Sequence, residues 1–253
     1  MKKQINNLTE KLQNIFGQRL ISIILHGASA IDGIQTENQK NILSYFMFKQ
    51  HIPLAVSLII IIDKLDAADL KSASSPISEW KRTGHPLPIF MDREEWFNST
   101  DIYPMEYCDI KRRHKILYGE NLINELIISK ANLRLQCEYE LKNLLIKLRE
   151  TYLGNIHYTK FLNLAIISSS RKLISLFRSV LEITEETLPH SPKEVTELLG
   201  NKVNIDKELF NIIFSAPKAQ IKFSKNQIEE IIPKLIDSLN LLLKYVDTLN
   251  VDE

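Results

Sequence analysis

Leu20-Ile-Ser-Ile-Ile-Leu-His-Gly-Ala-Ser29 and Val56-Ser-Leu-Ile-Ile-Ile-Ile-Asp63 are the stretches that decide the fold. Both runs are short, apolar and rich in β-branched residues, which marks buried strands rather than helices. They predict strands over 20–25 and about 54–62. His26-Gly27-Ala28-Ser29 closes the first in a small-residue turn. A strand, a tight glycine turn, a helix and a second strand form a layout that builds phosphate sites.

On the N-terminal side, Ile5, Leu8, Leu12, Ile15 and Phe16 recur at helical spacing, with Gly17 placed to stop the helix. Between the strands, Thr36-Glu-Asn-Gln39 has the form of a capping box for a helix near 37–49. Further on, 66–82 predicts a helix with Leu70, Ile77 and Trp80 inward, and Ser74-Ser-Pro76 is a candidate break in it. Leu87–Met91 predicts a strand, Asp92–Glu95 a capped short helix, and 102–110 and 115–118 two extended segments. From Ser129 the pattern is helical throughout. Apolar stripes run from Leu133 to Leu148 and from Phe161 to Val180, Ser191-Pro-Lys-Glu194 opens a helix with Gly200 as its stop, and a last helix carries Pro233. The expected architecture is a two-domain α+β/α chain, with a mixed sheet and flanking helices over 1–128 and an all-helical bundle over 129–253.

Composition narrows the function classes. The chain has 253 residues, 44% hydrophobic and 25% charged, with Lys plus Arg at 32 against 31 acids. A net charge of +1 gives no general attraction to nucleic acid or anionic membrane, so neither is expected as a partner. No apolar run approaches the ~20 residues of a membrane span, and Met1-Lys-Lys-Gln4 does not begin a signal peptide. The two cysteines, Cys108 and Cys137, sit among apolar neighbours and are expected to be buried thiols in a cytoplasmic protein.

Three later stretches carry a resemblance. They are Ile102-Tyr-Pro-Met-Glu-Tyr-Cys-Asp-Ile-Lys111, His114-Lys-Ile-Leu-Tyr-Gly-Glu120 and Leu133-Arg-Leu-Gln-Cys-Glu-Tyr-Glu-Leu141. In this order, behind the strand pair, they resemble the nucleotidyltransferase superfamily that includes DNA polymerase β and kanamycin nucleotidyltransferase. More narrowly, they look like a bacterial group of two-domain nucleotidyltransferase-like proteins. The resemblance implies a Gly-Ser turn that holds a nucleoside triphosphate, and an Asp-x-Asp pair on the next strand that holds two magnesium ions. Two carboxylates two apart on a strand share a face, so the chemistry suits the spacing.

This chain departs from the pattern at those positions. Gly27 fits the turn, but Ala28 stands where serine is expected and Ser29 follows one place late. Aligned through Ile62-Asp63, the second strand carries Ala55 and Ser57 in place of the metal-binding pair. The reading is therefore a catalytically degenerate relative that binds a nucleotide or a partner in the cleft between its domains. No resident cofactor or metal is expected. The alternatives are an active transferase using Mg²⁺ and a nucleoside triphosphate with relocated acids, and a structural module whose helices assemble with themselves or with another protein. Candidate catalytic acids are Asp63, Glu106 and Asp109. Candidate ligand contacts are His26, Gly27, Ala28, Ser29, Lys111 and His114, the last two from the basic run Lys111-Arg-Arg-His-Lys115. That run faces either a triphosphate or solvent.

Overall fold

In the computed structural model, which describes residues 2–30, 56–185 and 187–251, the two apolar runs pair at the centre of one sheet. Strand β1 (Leu20–His26) lies antiparallel to β2 (Ser57–Ile62) on one side and to β4 (His114–Gly119) on the other. Strand β3 (Ile89–Asp92) runs parallel to β2, so the order is β3-β2-β1-β4. The unbroken apolar sequence of the central strands has a simple cause: both faces are covered. Helices α1 (Lys2–Phe16) and α2 (Ala67–Arg82) bring Ile5, Leu8, Leu12 and Trp80 against Ile23, Leu25, Ile60 and Ile62. Helices α3 (Arg93–Asn98) and α4 (Pro104–Arg112) bring Trp96, Tyr107 and Ile110 against Ile24, Ile59 and Ile61.

A bulge tunes this sheet. The β1–β2 register slips between Leu20 and Ser22, leaving Ile21 as the extra residue. The slip lets Leu20 join Ile23 and Leu25 in the same core despite its parity. Across from the bulge, the Glu120 amide donates to the Ile21 carbonyl at 3.0 Å. The buried Ser22 hydroxyl donates to the Glu120 carbonyl at 2.8 Å. At the entrance to α2, Asp66 and Asp69 cap the helix reciprocally, and Arg19 grips Asp69 with both guanidinium nitrogens at 3.1 and 2.5 Å.

The structure corrects several expectations. Residues 102–110 are not extended: Pro104–Arg112 is helix α4. A short run of mixed apolar residues fits both periods, and the ends decide it. Pro104 sits in the first turn, where no amide is needed, Glu106 follows it, and Lys111 and Arg112 occupy the last turn. Helix α2 continues through Pro76 without a break, and Leu70 is 49% exposed rather than inward. The expected helix near 37–49 and the start of the second strand at 54 lie outside the described residues.

The chain divides into two compact units, Met1–Ile128 and Ser129–Glu253. The second contains α5 (Lys130–Asn155), α6 (Thr159–Thr184), α7 (Pro192–Lys202), α8 (Lys207–Ala219) and α9 (Lys225–Thr248). Its core joins Leu141 and Leu145 of α5, Leu173 and Phe177 of α6, and Leu239 and Leu242 of α9, all buried. Phe177 meets Phe210 and Phe214 edge-on at 4.7 and 5.6 Å between ring centres. The Asn163 amide group on α6 bonds both backbone groups of Phe223, at 2.7 Å each, fixing the approach to α9. Helix α7 runs past Gly200 to Lys202, and Phe161 is 55% exposed instead of packed. Cys108 and Cys137 are both buried. Among the described residues no helix is long and apolar enough to cross a membrane.

Candidate functional site

Where β1 ends, β2 and β4 begin, and three polar residues stand in a row. His26 is the cross-strand partner of Ser57 on β2 and of His114 on β4. Directly opposed residues share a face of the sheet, with Cβ atoms about 4.5–5.5 Å apart. His26 lies two residues beyond Ile24 and Ser57 two before Ile59, so the shared face is the one packed by α4. Gly27 then turns the chain at φ 76°, a backbone that disfavours any side chain, and its amide donates to the Arg113 carbonyl at 3.2 Å. The backbone of Ala28 and Ser29 continues in a 3₁₀ turn over Gly27–Ala30.

The residues of α4 and β4 close around this row. Burial holds the His26 imidazole below its usual range, and the negative charge of Asp109 partly offsets that. Asp109 itself is paired with Arg112 at 2.6 Å. His114 Nδ1 lies 3.0 and 3.1 Å from the carbonyls of Ile110 and Lys111. Protonated at Nδ1, the ring caps the C-terminal end of α4 and leaves Nε2 as an acceptor. The Lys111 ammonium donates to the Leu126 carbonyl at 3.0 Å, which ties it to the chain following β4. Glu106 occupies the first turn of α4 and is exposed.

Asp63 does not belong to this end of the sheet. It follows Ile62 at the other end of β2, where its amide donates to the Arg19 carbonyl at 2.9 Å. Six residues of strand, about 20 Å, separate it from Ser57. Antiparallel pairing sends the two ends of β2 to opposite ends of the sheet, so grouping Asp63 with Gly27 is corrected. Ala55 lies outside the described residues. Among the described residues, no group of three or more His, Cys, Asp or Glu is arranged to hold a metal ion. Magnesium prefers anionic oxygen in octahedral array. A serine hydroxyl, two imidazoles and one arginine-bound carboxylate do not fit a pair of such ions.

A second histidine supports the start of β2. His85 is 6% exposed, stacks on Trp80 at 4.8 Å between ring centres, and accepts the Val56 amide at Nδ1 over 3.4 Å. Burial lowers its pKa. His26 and His85 thus share a direction, with a consequence for stability. The unfolded chain takes up these protons near pH 6.5 while the folded chain resists, so stability is complete above that pH and falls as pH drops below it. The slope is at most about 1.4 kcal/mol per pH unit for each histidine. Urea midpoints at pH 7.5, 6.5 and 5.5 should decline only across the lower interval, and His85→Phe should flatten that decline. Asp69 acts lower. Its carboxyl is depressed chiefly by the Arg19 hydrogen bonds, so its share is lost only below about pH 4.

A cavity of about 580 Å³ lies in the second unit between α5, α6 and α9, lined in part by Leu144, Leu148, Ala165, Ser169 and Leu239. Its charged lining residues are Lys147, Glu150 and Lys172, the last paired with Glu140. On α5, Arg134 and Lys142 both bond Glu138. The cross-strand row of Ser57, His26 and His114 escapes sequence reasoning because it depends on register. The signal available is the odd–even pattern of Ile24, Ile59 and Ile116 around it.

No family model matches this chain, and no curated protein matches it in sequence. Among solved structures it is similar to spectinomycin adenyltransferase AAD(9) from Enterococcus faecialis, determined with ATP and spectinomycin. The two are 13% identical, and the match covers 95% of this chain and 99% of that one at a TM-score of 0.53. The fold is therefore nucleotidyltransferase-like: a mixed sheet with flanking helices, followed by a helical bundle.

Proposed function

We propose that this chain is a nucleotide-binding relative of the nucleotidyltransferases that no longer performs two-metal chemistry. One observation carries the reading. Ser57, at the start of β2 and opposite His26, stands where the resemblance to the nucleotidyltransferases places a metal-binding carboxylate. A neutral hydroxyl neither supplies charge to a magnesium ion nor bridges two of them. The glycine turn beside it is retained, with Gly27 at φ 76° and its amide held by Arg113. Scaffold and turn support binding, and the replaced donor argues against transfer.

Calorimetric titration with ATP, GTP and CTP, in Mg²⁺ and then in EDTA, tests this directly. The expected result is binding of at least one nucleotide with an affinity that changes less than twofold between the two conditions, and no pyrophosphate release. Binding that vanishes in EDTA, together with Mg²⁺-dependent pyrophosphate release, would overturn the proposal in favour of relocated acids. Asp109→Ala should then abolish that activity. Failure to bind any nucleotide would remove the nucleotide reading altogether.

A further inference from the structure

The charge balance at the Gly27 end of the sheet runs opposite to that of a metal site. Its acid, Asp109, is already paired with Arg112. Lys111 is engaged by a backbone carbonyl. The neighbouring cations Arg113 and Lys115 have no side-chain hydrogen bond or ion pair among the described residues. Arg113 is the better placed of the two. It is half-buried, and its own carbonyl accepts the Gly27 amide, so its backbone is joined to the glycine turn by a direct hydrogen bond. Its amide is held in turn by the carbonyls of Asp109 and Ile110, which fixes the residue at the end of α4. A guanidinium in that setting is the side chain suited to phosphate: it is always charged, weakly hydrated and able to donate two parallel hydrogen bonds.

We infer that Arg113 anchors the phosphate groups of a nucleotide at this end of the sheet, supplying the positive charge that magnesium would otherwise provide. The inference rests on the proposed nucleotide-binding function and adds the ligand's polyphosphate as the recognised feature. Lys115 contributes a second, more exposed charge. Loss of a charge-assisted bidentate contact corresponds to about a ten- to hundredfold drop in affinity.

The test measures binding in EDTA of ATP, ADP, AMP, adenosine and inorganic tripolyphosphate. It compares the native chain with Arg113→Gln and Arg113→Lys, and with Lys193→Gln as a control for the loss of one positive charge. Affinity should fall in the order ATP, ADP, AMP. Arg113→Gln should weaken ATP and tripolyphosphate about ten- to hundredfold, Arg113→Lys less, and Lys193→Gln less than twofold. Unchanged thermal midpoints would show that the variants are folded, as expected when the structural bonds of Arg113 are made by its backbone. If Arg113→Gln binds ATP as the native chain does, the anchor is wrong while the nucleotide function stands. Adenosine binding as tightly as ATP would likewise overturn the anchor alone. If tripolyphosphate binds and depends on Arg113 but no nucleoside adds affinity, the anchor stands and the nucleotide function fails. Binding of none of the five probes overturns both.

Discussion

Gly119→Ala is expected to destabilise the first unit by about 4–5 kcal/mol, enough to unfold a large share of a marginally stable chain. Gly119 ends β4 at φ 77°, and a Cβ built there would lie 1.9 Å from the Ile21 carbonyl oxygen and 2.9 Å from its carbon. Both atoms are backbone, and they belong to the bulge whose carbonyl accepts the Glu120 amide. Relief requires β1 and β4 to part at the position where Ser22 ties them together. The left-handed backbone alone accounts for about 1–2 kcal/mol, and the collision supplies the rest. Gly84→Ala separates the two terms: φ is 84° there, but open space surrounds the added atom. Urea denaturation should show a cost of about 1–2 kcal/mol for Gly84→Ala and at least twice that for Gly119→Ala. Equal costs would mean that the strands yield and that the bulge is not rigid.

Phe177→Ala is the second large effect, expected at about 3–5 kcal/mol. Phe177 has no exposed surface and sits edge-on to both Phe210 and Phe214, which join α6 to α8. Truncation removes the apolar area of one ring and the edge contacts of two more, and leaves a cavity enclosed by helices that cannot easily collapse. Hydrogen exchange should report the loss in the amides of α6 and α8. Phe161→Ala, at a side chain more than half exposed, should cost well under about 1 kcal/mol. A small effect at Phe177 would show that the bundle repacks, in the manner of a loosely specified core.

Much of this architecture is legible from residue patterns, because its signals are strong and local. The continuous apolar runs mark β1 and β2, and serine or aspartate before a helical stripe marks the starts of α2, α3, α5, α7 and α9. Helix α4 is illegible by periodicity because its short apolar run fits either period, and only Pro104 and the terminal charges betray it. Gly200 misleads for a related reason. A glycine stops a helix only when the chain needs a left-handed turn, and here the chain leaves α7 through Val203 in extended form. The site divides along the same line. Gly27 is announced by its turn, whereas the company of His26 is set by strand pairing. The place of Asp63 is hidden, because sequence proximity to a strand does not say which end faces the turn. Arg113 is submerged in a basic run in which Lys111, Arg112 and His114 have structural duties.

The pairing of His26 with Ser57 has a further consequence for how this fold tolerates change. Thirty residues separate them in sequence, yet they face one another across a hairpin, so the two ends of the intervening chain are clamped about 5 Å apart. Closure entropy grows only logarithmically, and exchanging thirty residues for a four-residue turn alters stability by only about 2 kcal/mol. The sheet thus works as a fixed frame with a replaceable cassette at one corner. The number of residues between Ala30 and Val56 can change at that modest cost, whereas Gly27 and Val56, whose amides bond the Arg113 carbonyl and the His85 ring, belong to the frame. The corner open to such exchange is also the one that carries His26, Ser57 and Arg113.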